Sequence, residues 1–335
     1  MWEIRRYQSS LKKEWNLFVG SARNATFLFF REYMDYHSDR FADHSLLAYR
    51  NGRLAAILPA NADVQTLYSH QGLTYGGWIL SPDGLDGTAI FELWNEWLGY
   101  CNSAGIEKII YKPLPYIYAE MPSQEDLYML YLCGARLIAT DLSSTIDLES
   151  NPGFNTLQNR HLKKTPGDFS IEIISYQTGC IGLKEFHHLL EDCLKERHSA
   201  IPVHSLDELR LLIDRFPDNI IVWGGYVGEE HRLAAAICVY ETGMCAHCQY
   251  IATSGEGREK NLLAPLIAAM IEHYEEEGCR YFDFGISNEG GGRYLNPGLN
   301  RQKTSYGGSG TAYQRYEISV SSALESLPSE LWPPP

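Results

Sequence analysis

The chain has 335 residues, 44% of them hydrophobic and 21% charged, which is globular composition and excludes a disordered or fibrous protein. That length is about twice the usual single-domain size of roughly 150, so two domains are expected. Lys plus Arg number 28 against 42 Asp plus Glu, and the net charge of −14 opposes non-specific attraction to nucleic acid or anionic lipid.

The first segment, Met1 to Trp15, is charged and lacks an apolar block, and the longest unbroken apolar run, Leu262 to Ile271, is too short to span a bilayer. These features predict a cytoplasmic protein without a membrane span. The eight cysteines are scattered, and Cys101, Cys193 and Cys238 lie in apolar contexts, as buried thiols do in a reducing compartment. Cys245 and Cys248, around His247, have metal-like spacing, but no second pair follows at finger or ribbon distance, so no metal is expected.

Ser45 to Ala60 reads as two strands about an Asn51-Gly52 turn, the strongest short-range hairpin signal. A helix from about Gly87 to Ser103 follows, with Ile90, Phe91, Trp94, Trp97, Leu98 and Cys101 on one face, and then a strand from Glu107 to Tyr111. A short helix near Gln124 to Cys133 and a strand near Arg136 to Leu148 precede a polar break at Glu149 to Gly153, where the domain boundary is expected. Beyond it come a basic segment (Asn159, Arg160, His161, Lys163, Lys164), a strand from Ile171 to Ser175, and two helices. The second of these is announced by the capping box Ser205 and Glu208.

Ile220 to Tyr240 then repeats the hairpin, and Arg232-Leu233-Ala234-Ala235 aligns with Arg53-Leu54-Ala55-Ala56. A helix from about Leu262 to Glu277 and a strand from Arg280 to Phe284 complete the second copy of the order. After Val320 the segment SSALESLPSELWPPP has no periodicity and is expected to be a flexible tail.

A hairpin, a strand, a helix and a strand, twice over, resembles the N-acetyltransferase (GNAT) fold in the tandem arrangement of the FemAB-like acyltransferases. Phe282-Asp283-Phe284-Gly285 at a strand end, followed by Gly298 to Gly307 (GLNRQKTSYG), is similar to the family pattern of a Leu, then a Lys, then an aromatic-Gly pair. The basic segment at Arg160 to Lys164 resembles that family's basic helix. The resemblance covers about Ser10 to Val320. It implies an α/β (α+β) fold of two tandem GNAT-like domains, 1–150 and 151–320, each a mixed, mainly antiparallel sheet flanked by helices, with the tail at 321–335. It also implies an N-acyltransferase acting on a cell-envelope precursor.

Amide formation needs fixed donors for the charge that develops on the carbonyl oxygen, and one good donor is worth about 3 kcal/mol. Lys303, in a glycine-rich aromatic segment read as a loop beyond the last core strand, is the leading catalytic candidate, with backbone N–H groups near Gln249 to Ala252 assisting. His247 is the nearest general base, and a water chain to Asp283 or Glu289 is the alternative. No Cys or Ser has an activating neighbourhood, so direct attack is expected.

The turn Ser254 to Asn261 holds Gly255, Gly257, Arg258 and Asn261, which suit the phosphates of acyl-CoA, but Glu256 and Glu259 oppose an anion. Acyl-CoA and aminoacyl-tRNA both remain open as donors, the second through Arg160, Lys163 and Lys164. Two clusters suit a sugar or peptide acceptor: His37, Asp39 and Arg40 in one, Tyr68, His70, Gln71 and Tyr75 in the other. An ion-pair network is the alternative reading of the first. Gln249 and Tyr250 on the central strand, Ser287, Asn288 and Glu289 after Asp283, and Tyr306 complete the acceptor candidates. The acceptor is expected between the two domains. His187 and His188 read as surface or packing residues. A non-catalytic binding protein that kept the duplicated fold stays open beside the enzyme.

Overall fold

The computed structural model describes residues 1–174, 180–198 and 201–328. The chain forms two compact units, one of Met1–Asp141, Gly290–Arg293 and Ala312–Pro335, the other of Leu142–Glu289 and Tyr294–Thr311.

The first unit opens with β1 (Trp2–Arg6), α1 (Lys12–Val19) and α2 (Arg31–Met34). Asn51 and Gly52 have φ of 52° and 81°, both positive as a two-residue type I′ turn requires, and join β2 (Leu46–Arg50) to β3 (Arg53–Leu58). Then come β4 (Asn61–Asp63), β5 (Thr66–Tyr68), β6 (Ile79–Leu80), α3 (Gly87–Ser103), β7 (Lys108–Tyr111), α4 (Glu125–Leu132) and β8 (Arg136–Asp147). One sheet runs β1-β2-β3-β6, all antiparallel.

Beside this sheet β5 pairs parallel with β7 and antiparallel with β4. Asp86 caps α3 by accepting from the Ala89 N–H, and the helix buries the predicted face: Ile90, Phe91, Trp94, Trp97, Leu98 and Cys101. Each such side chain contributes about 1.5–3 kcal/mol on burial, so this face anchors the unit's core.

The second unit contains α5 (Thr156–Leu162), β9 (Ser170–Ile173), α6 (Cys180–His198) and α7 (Leu206–Arg215), the last with the predicted Ser205–Glu208 capping box. There follow β10 (Ile220–Val227), β11 (Arg232–Glu241), β12 (Cys245–Thr253), α8 (Gly255–Glu259), α9 (Leu263–Glu276), β13 (Tyr281–Ile286), β14 (Asn288–Glu289), β15 (Tyr294–Leu295) and α10 (Pro297–Ser305). Its sheet runs β8-β13-β12-β11-β10-β9, with only β12 and β13 parallel. α9 covers one face, packing Leu266, Ile267, Met270 and Tyr274 on Ile237, Val239, Cys248 and Phe282. The order of hairpin, strand, helix and parallel strand therefore recurs in both units, in the mixed sheets expected.

Three expectations change. The units divide inside β8, between Asp141 and Leu142, ahead of the polar break at 149–153. A continuous strand carries no linker composition, so the sequence does not mark that point. Lys303 lies on α10 rather than in a loop, and β16 (Ser309–Ser319) follows it, returning the chain to the first unit, where Tyr316–Ser319 pair with β7. The helix signals were present: Asn296 caps the helix, Pro297 opens it, and Gly307, at φ 102°, follows its end. Finally, α11 (Val320–Ser326) occupies the start of the expected tail and buries Val320 and Ala323, with Leu327 buried after it. Ser175 and residues 329–335 lie outside the described residues.

Candidate active site

The parallel pairing of β12 and β13 is short. It runs from Cys245↔Tyr281 to His247↔Asp283 and stops there, while β12 continues along β11 to Thr253. Gly285, at φ 76°, turns β13 away in a conformation that costs other residues about 1–2 kcal/mol. A wedge thus opens between the strands with His247 and Asp283 at its apex. β12 also carries a bulge: Cys238 pairs with Tyr250 and Val239 with Cys248, leaving Gln249 as the extra residue.

Asp283 has no solvent exposure. Its Oδ1 accepts from Ser143 Oγ (2.5 Å) and Thr145 Oγ1 (2.7 Å), and its Oδ2 faces His247 Nδ1 at 2.7 Å. Burial pushes this carboxyl up, but the bonds from His247, Ser143 and Thr145 outweigh it and hold the group below the ordinary Asp value. A carboxylate opposite Nδ1 places the hydrogen there and leaves Nε2 with a lone pair.

Lys303 is buried, and its Nζ donates to the carbonyls of Gly285 (2.8 Å) and Ile286 (2.6 Å). Two of its three N–H groups therefore hold the β13 exit. Burial pulls this ammonium down to about 8, against the opposing charge of Asp283. The three expected catalytic residues are thus gathered at the wedge, and Ser143 and Thr145, unnoticed in the sequence, complete it. Their alternate positions on β8 aim both hydroxyls to one side.

The other candidates divide. Tyr250, half-buried on β12, bonds His204, while Gln249 occupies the bulge. Ser287 is fully buried, and its hydroxyl has no partner among the described residues. Asn288 is engaged in the backbone, accepting from the Leu142 N–H at 2.6 Å, and Glu289 is exposed. Tyr306 packs against Phe284 and Phe154 in the α9-side core and lines a cleft of about 280 Å3 with Gln158, Thr253, Gly257, Arg258 and Asn261. This cleft sits at the Thr253 end of β12, away from His247.

The expected phosphate turn forms α8, and its polar groups are already engaged. Ser254 caps the helix, Arg258 binds the Thr253 carbonyl and Glu196, and Glu256 binds Arg232 and Lys260. A Cβ on Gly257 would stand 2.1 Å from the Ala234 carbonyl oxygen, so that glycine permits close backbone approach to β11. Asn261 bonds the Glu259 carbonyl, and a Cβ on Gly255 would meet the Arg258 guanidinium at 3.9 Å.

In the first unit His37 and His70 come together, their rings stacked at 5.1 Å with Phe41 edge-on to both. Both are buried, and desolvation lowers both. Gln71 is tied to Asn61 by two hydrogen bonds, and buried Tyr75 bonds Thr26. Tyr68 lies half-buried on β5. Asp39 and Arg40 are exposed and form an ion pair with each other at 3.8 Å, while a separate ion-pair network joins Arg31 to Asp35 and Asp43. His187 is a packing residue, buried against the His204 carbonyl. Cys245 and Cys248 are buried thiols that burial pushes well up, and no group of three or more potential metal ligands occurs among the described residues. None of the described helices is long and apolar enough to cross a membrane.

Residues 158–294 match the family model described as Acetyltransferase (GNAT) domain. Among curated proteins none matches the chain. Among solved structures, the crystal structure of FemX is similar at TM-score 0.68 and 12% identity, covering 95% of this chain and 98% of its own. A tandem GNAT protein from the clavulanic acid biosynthesis pathway is similar at TM-score 0.52 and 13% identity, covering 96% and 99%. L-PGS from Bacillus licheniformis is similar at TM-score 0.53 and 12% identity, covering 81% and 85%. At these identities the likeness is one of fold. Residues 158–294 therefore match a GNAT acetyltransferase domain, and the fold of the chain is similar to that of FemX and of the tandem GNAT protein.

Proposed function

We propose that the second unit transfers an acyl group from an activated thioester or ester to an amine on a sugar-nucleotide, glycan or peptide precursor of the cell envelope. The observation that carries this reading is the His247–Asp283 pair at the apex of the wedge, with Lys303 beside it. The amine gives a proton to His247 Nε2 and attacks the donor carbonyl carbon. As the carbon–sulfur or carbon–oxygen bond breaks, the thiolate or alkoxide leaves with its electron pair and takes up a proton. The third N–H of Lys303 and backbone N–H groups past the bulge at Gln249 stabilise the oxyanion between these steps.

Acyl-CoA is the first donor reading, its carrier running toward the cleft at the Thr253 end of β12. An aminoacyl ester is the second, favoured by one observation: the cations of α8 are already engaged by Glu196 and Glu256. A thermal-shift panel of acyl-CoA species and sugar nucleotides tests the reading. A ligand at 100 times its Kd adds about 2.7 kcal/mol of stability, and a panel in which no acyl-CoA shifts the transition would contradict the acyl-CoA donor.

A further inference from the structure

Two cations of the first unit oppose each other with no anion between them. β7 and β16 pair antiparallel from Lys108↔Ser319 to Tyr111↔Tyr316, and the next step along both strands brings Lys112 opposite Arg315. Side chains alternate across a sheet, so these two share the face of Lys108 and Glu317, away from the core residues Ile109, Tyr111 and Ile318. Like charges directly opposed on neighbouring strands are destabilising. Glu317, two residues from Arg315 on that face, is already committed to Arg136 at 2.6 Å and Lys108 at 3.4 Å. Lys112 and Arg315 are both half-buried, and neither has an ion-pair partner among the described residues.

Residues 69–76 fold around Lys112. Its N–H donates to Ser69 Oγ at 2.7 Å, its carbonyl accepts from the Gly76 N–H at 3.0 Å, and its Nζ donates to the Leu73 carbonyl. Two of the three ammonium N–H groups are left without a partner among the described residues. Burial, with the charge of Arg315 added, pulls the ammonium down to about 7, the direction expected of a lysine that lacks a counter-ion.

The same segment supplies an uncharged donor. His70, at φ 61°, is 3% exposed, and its Nδ1 lies 3.2 Å from the Gly72 backbone nitrogen. A backbone N–H only donates, so Nδ1 accepts and the ring hydrogen sits on Nε2, where it has no partner among the described residues. Burial first, then the charges of His37, Lys112 and Arg31, hold His70 well below its ordinary value, so it stays neutral beside the ammonium.

We propose that Lys112, Arg315 and the Nε2–H of His70 form a binding site for a phosphate group, either the free ion or a phosphate monoester. Two cations match the roughly two negative charges of a phosphate at neutral pH, and the Arg315 fork fits its oxygens in pairs. His70 adds a donor without adding charge. A carboxylate, with one charge, leaves one cation uncompensated. The inference does not use the acyl-transfer reading, and its test needs neither acyl donor nor amine.

Isothermal titration calorimetry on the full-length protein at low ionic strength compares inorganic phosphate, phenyl phosphate and acetate as probes of wild type, Arg315→Gln and Lys112→Gln. Wild type is expected to bind phosphate with a Kd below about 1 mM and acetate at least about tenfold more weakly. Binding of phenyl phosphate marks a site for monoesters, and its exclusion marks a site for the free ion. Both variants weaken phosphate binding by about tenfold or more, the loss of one charge-assisted hydrogen bond. Arg315→Gln relieves the repulsion, so without phosphate it melts no lower than wild type, and it loses the upward shift that phosphate gives wild type. That variant decides the matter if Lys112→Gln fails to fold. No phosphate-dependent heat in wild type, wild-type affinity in Arg315→Gln, a lower melting temperature of that variant without phosphate, or acetate bound as tightly as phosphate would overturn the inference.

Discussion

His247 Nδ1 and Asp283 Oδ2 are 2.7 Å apart at the last register pair before β12 and β13 separate. Parallel pairing puts directly opposed residues on one face, so the contact is a consequence of the register. Ser143 and Thr145, from β8 on the other flank of β13, close the carboxylate's remaining side.

Asp283→Asn tests what the carboxylate does. An amide in its place donates to His247 Nδ1 and moves the imidazole hydrogen to Nε2, which removes the base. Turnover is expected to fall by about 100-fold or more, the usual contribution of a positioned base, with the melting temperature measured alongside. Activity near the wild-type level would show that His247 does not act as a base.

Lys303 carries structure as well as chemistry, so removing it has two effects. Lys303→Met leaves the Gly285 and Ile286 carbonyls without their partner, at about 1–3 kcal/mol, and lowers turnover by about 100-fold or more through the lost oxyanion donor. Urea unfolding and single-turnover rates separate the two. Loss of stability with full activity would confine Lys303 to a structural role.

The same lysine sets a pH dependence. Its ammonium, at about 8, is lost as pH rises through that value, so turnover is expected to decline on an alkaline limb there. Lys303→Arg, charged throughout, should move that limb upward. Stability runs the other way. The unfolded lysine titrates near 10.5, so between about 8 and 10.5 the unfolded chain holds the extra proton, and the stability of wild type relative to Lys303→Met rises with pH. A pH-rate profile and urea melts at three pH values check both signs.

Gly257→Ala distinguishes a packing glycine from a phosphate-binding one. The added Cβ would meet the Ala234 carbonyl, so the variant should lose stability while the folded fraction keeps its KM for the donor. A donor KM raised at unchanged melting temperature would return Gly257 to a binding role.

The sequence carried the duplication because hairpins, long helices and their caps are written locally: Asn51-Gly52, the α3 stripe and the Ser205–Glu208 box all formed. It located Lys303, His247 and Asp283 singly but could not join them, since their contacts depend on the register of strands far apart in the chain. The same reason hid Ser143 and Thr145. Gln71, Tyr75 and Asn288, singled out for dense polar composition, have polar groups bonded to Asn61, Thr26 and the Leu142 N–H. At α10 the Asn296-Pro297 start was legible, and the surrounding glycines drew attention from it.

The central claim is tested most directly by thiol release from acetyl-coenzyme A across a panel of amino sugars and peptides, comparing wild type with His247→Gln. The account predicts amine-dependent release that falls by about 100-fold or more in the variant, whose fold stays intact by circular dichroism. Release by the variant within about threefold of wild type would contradict it.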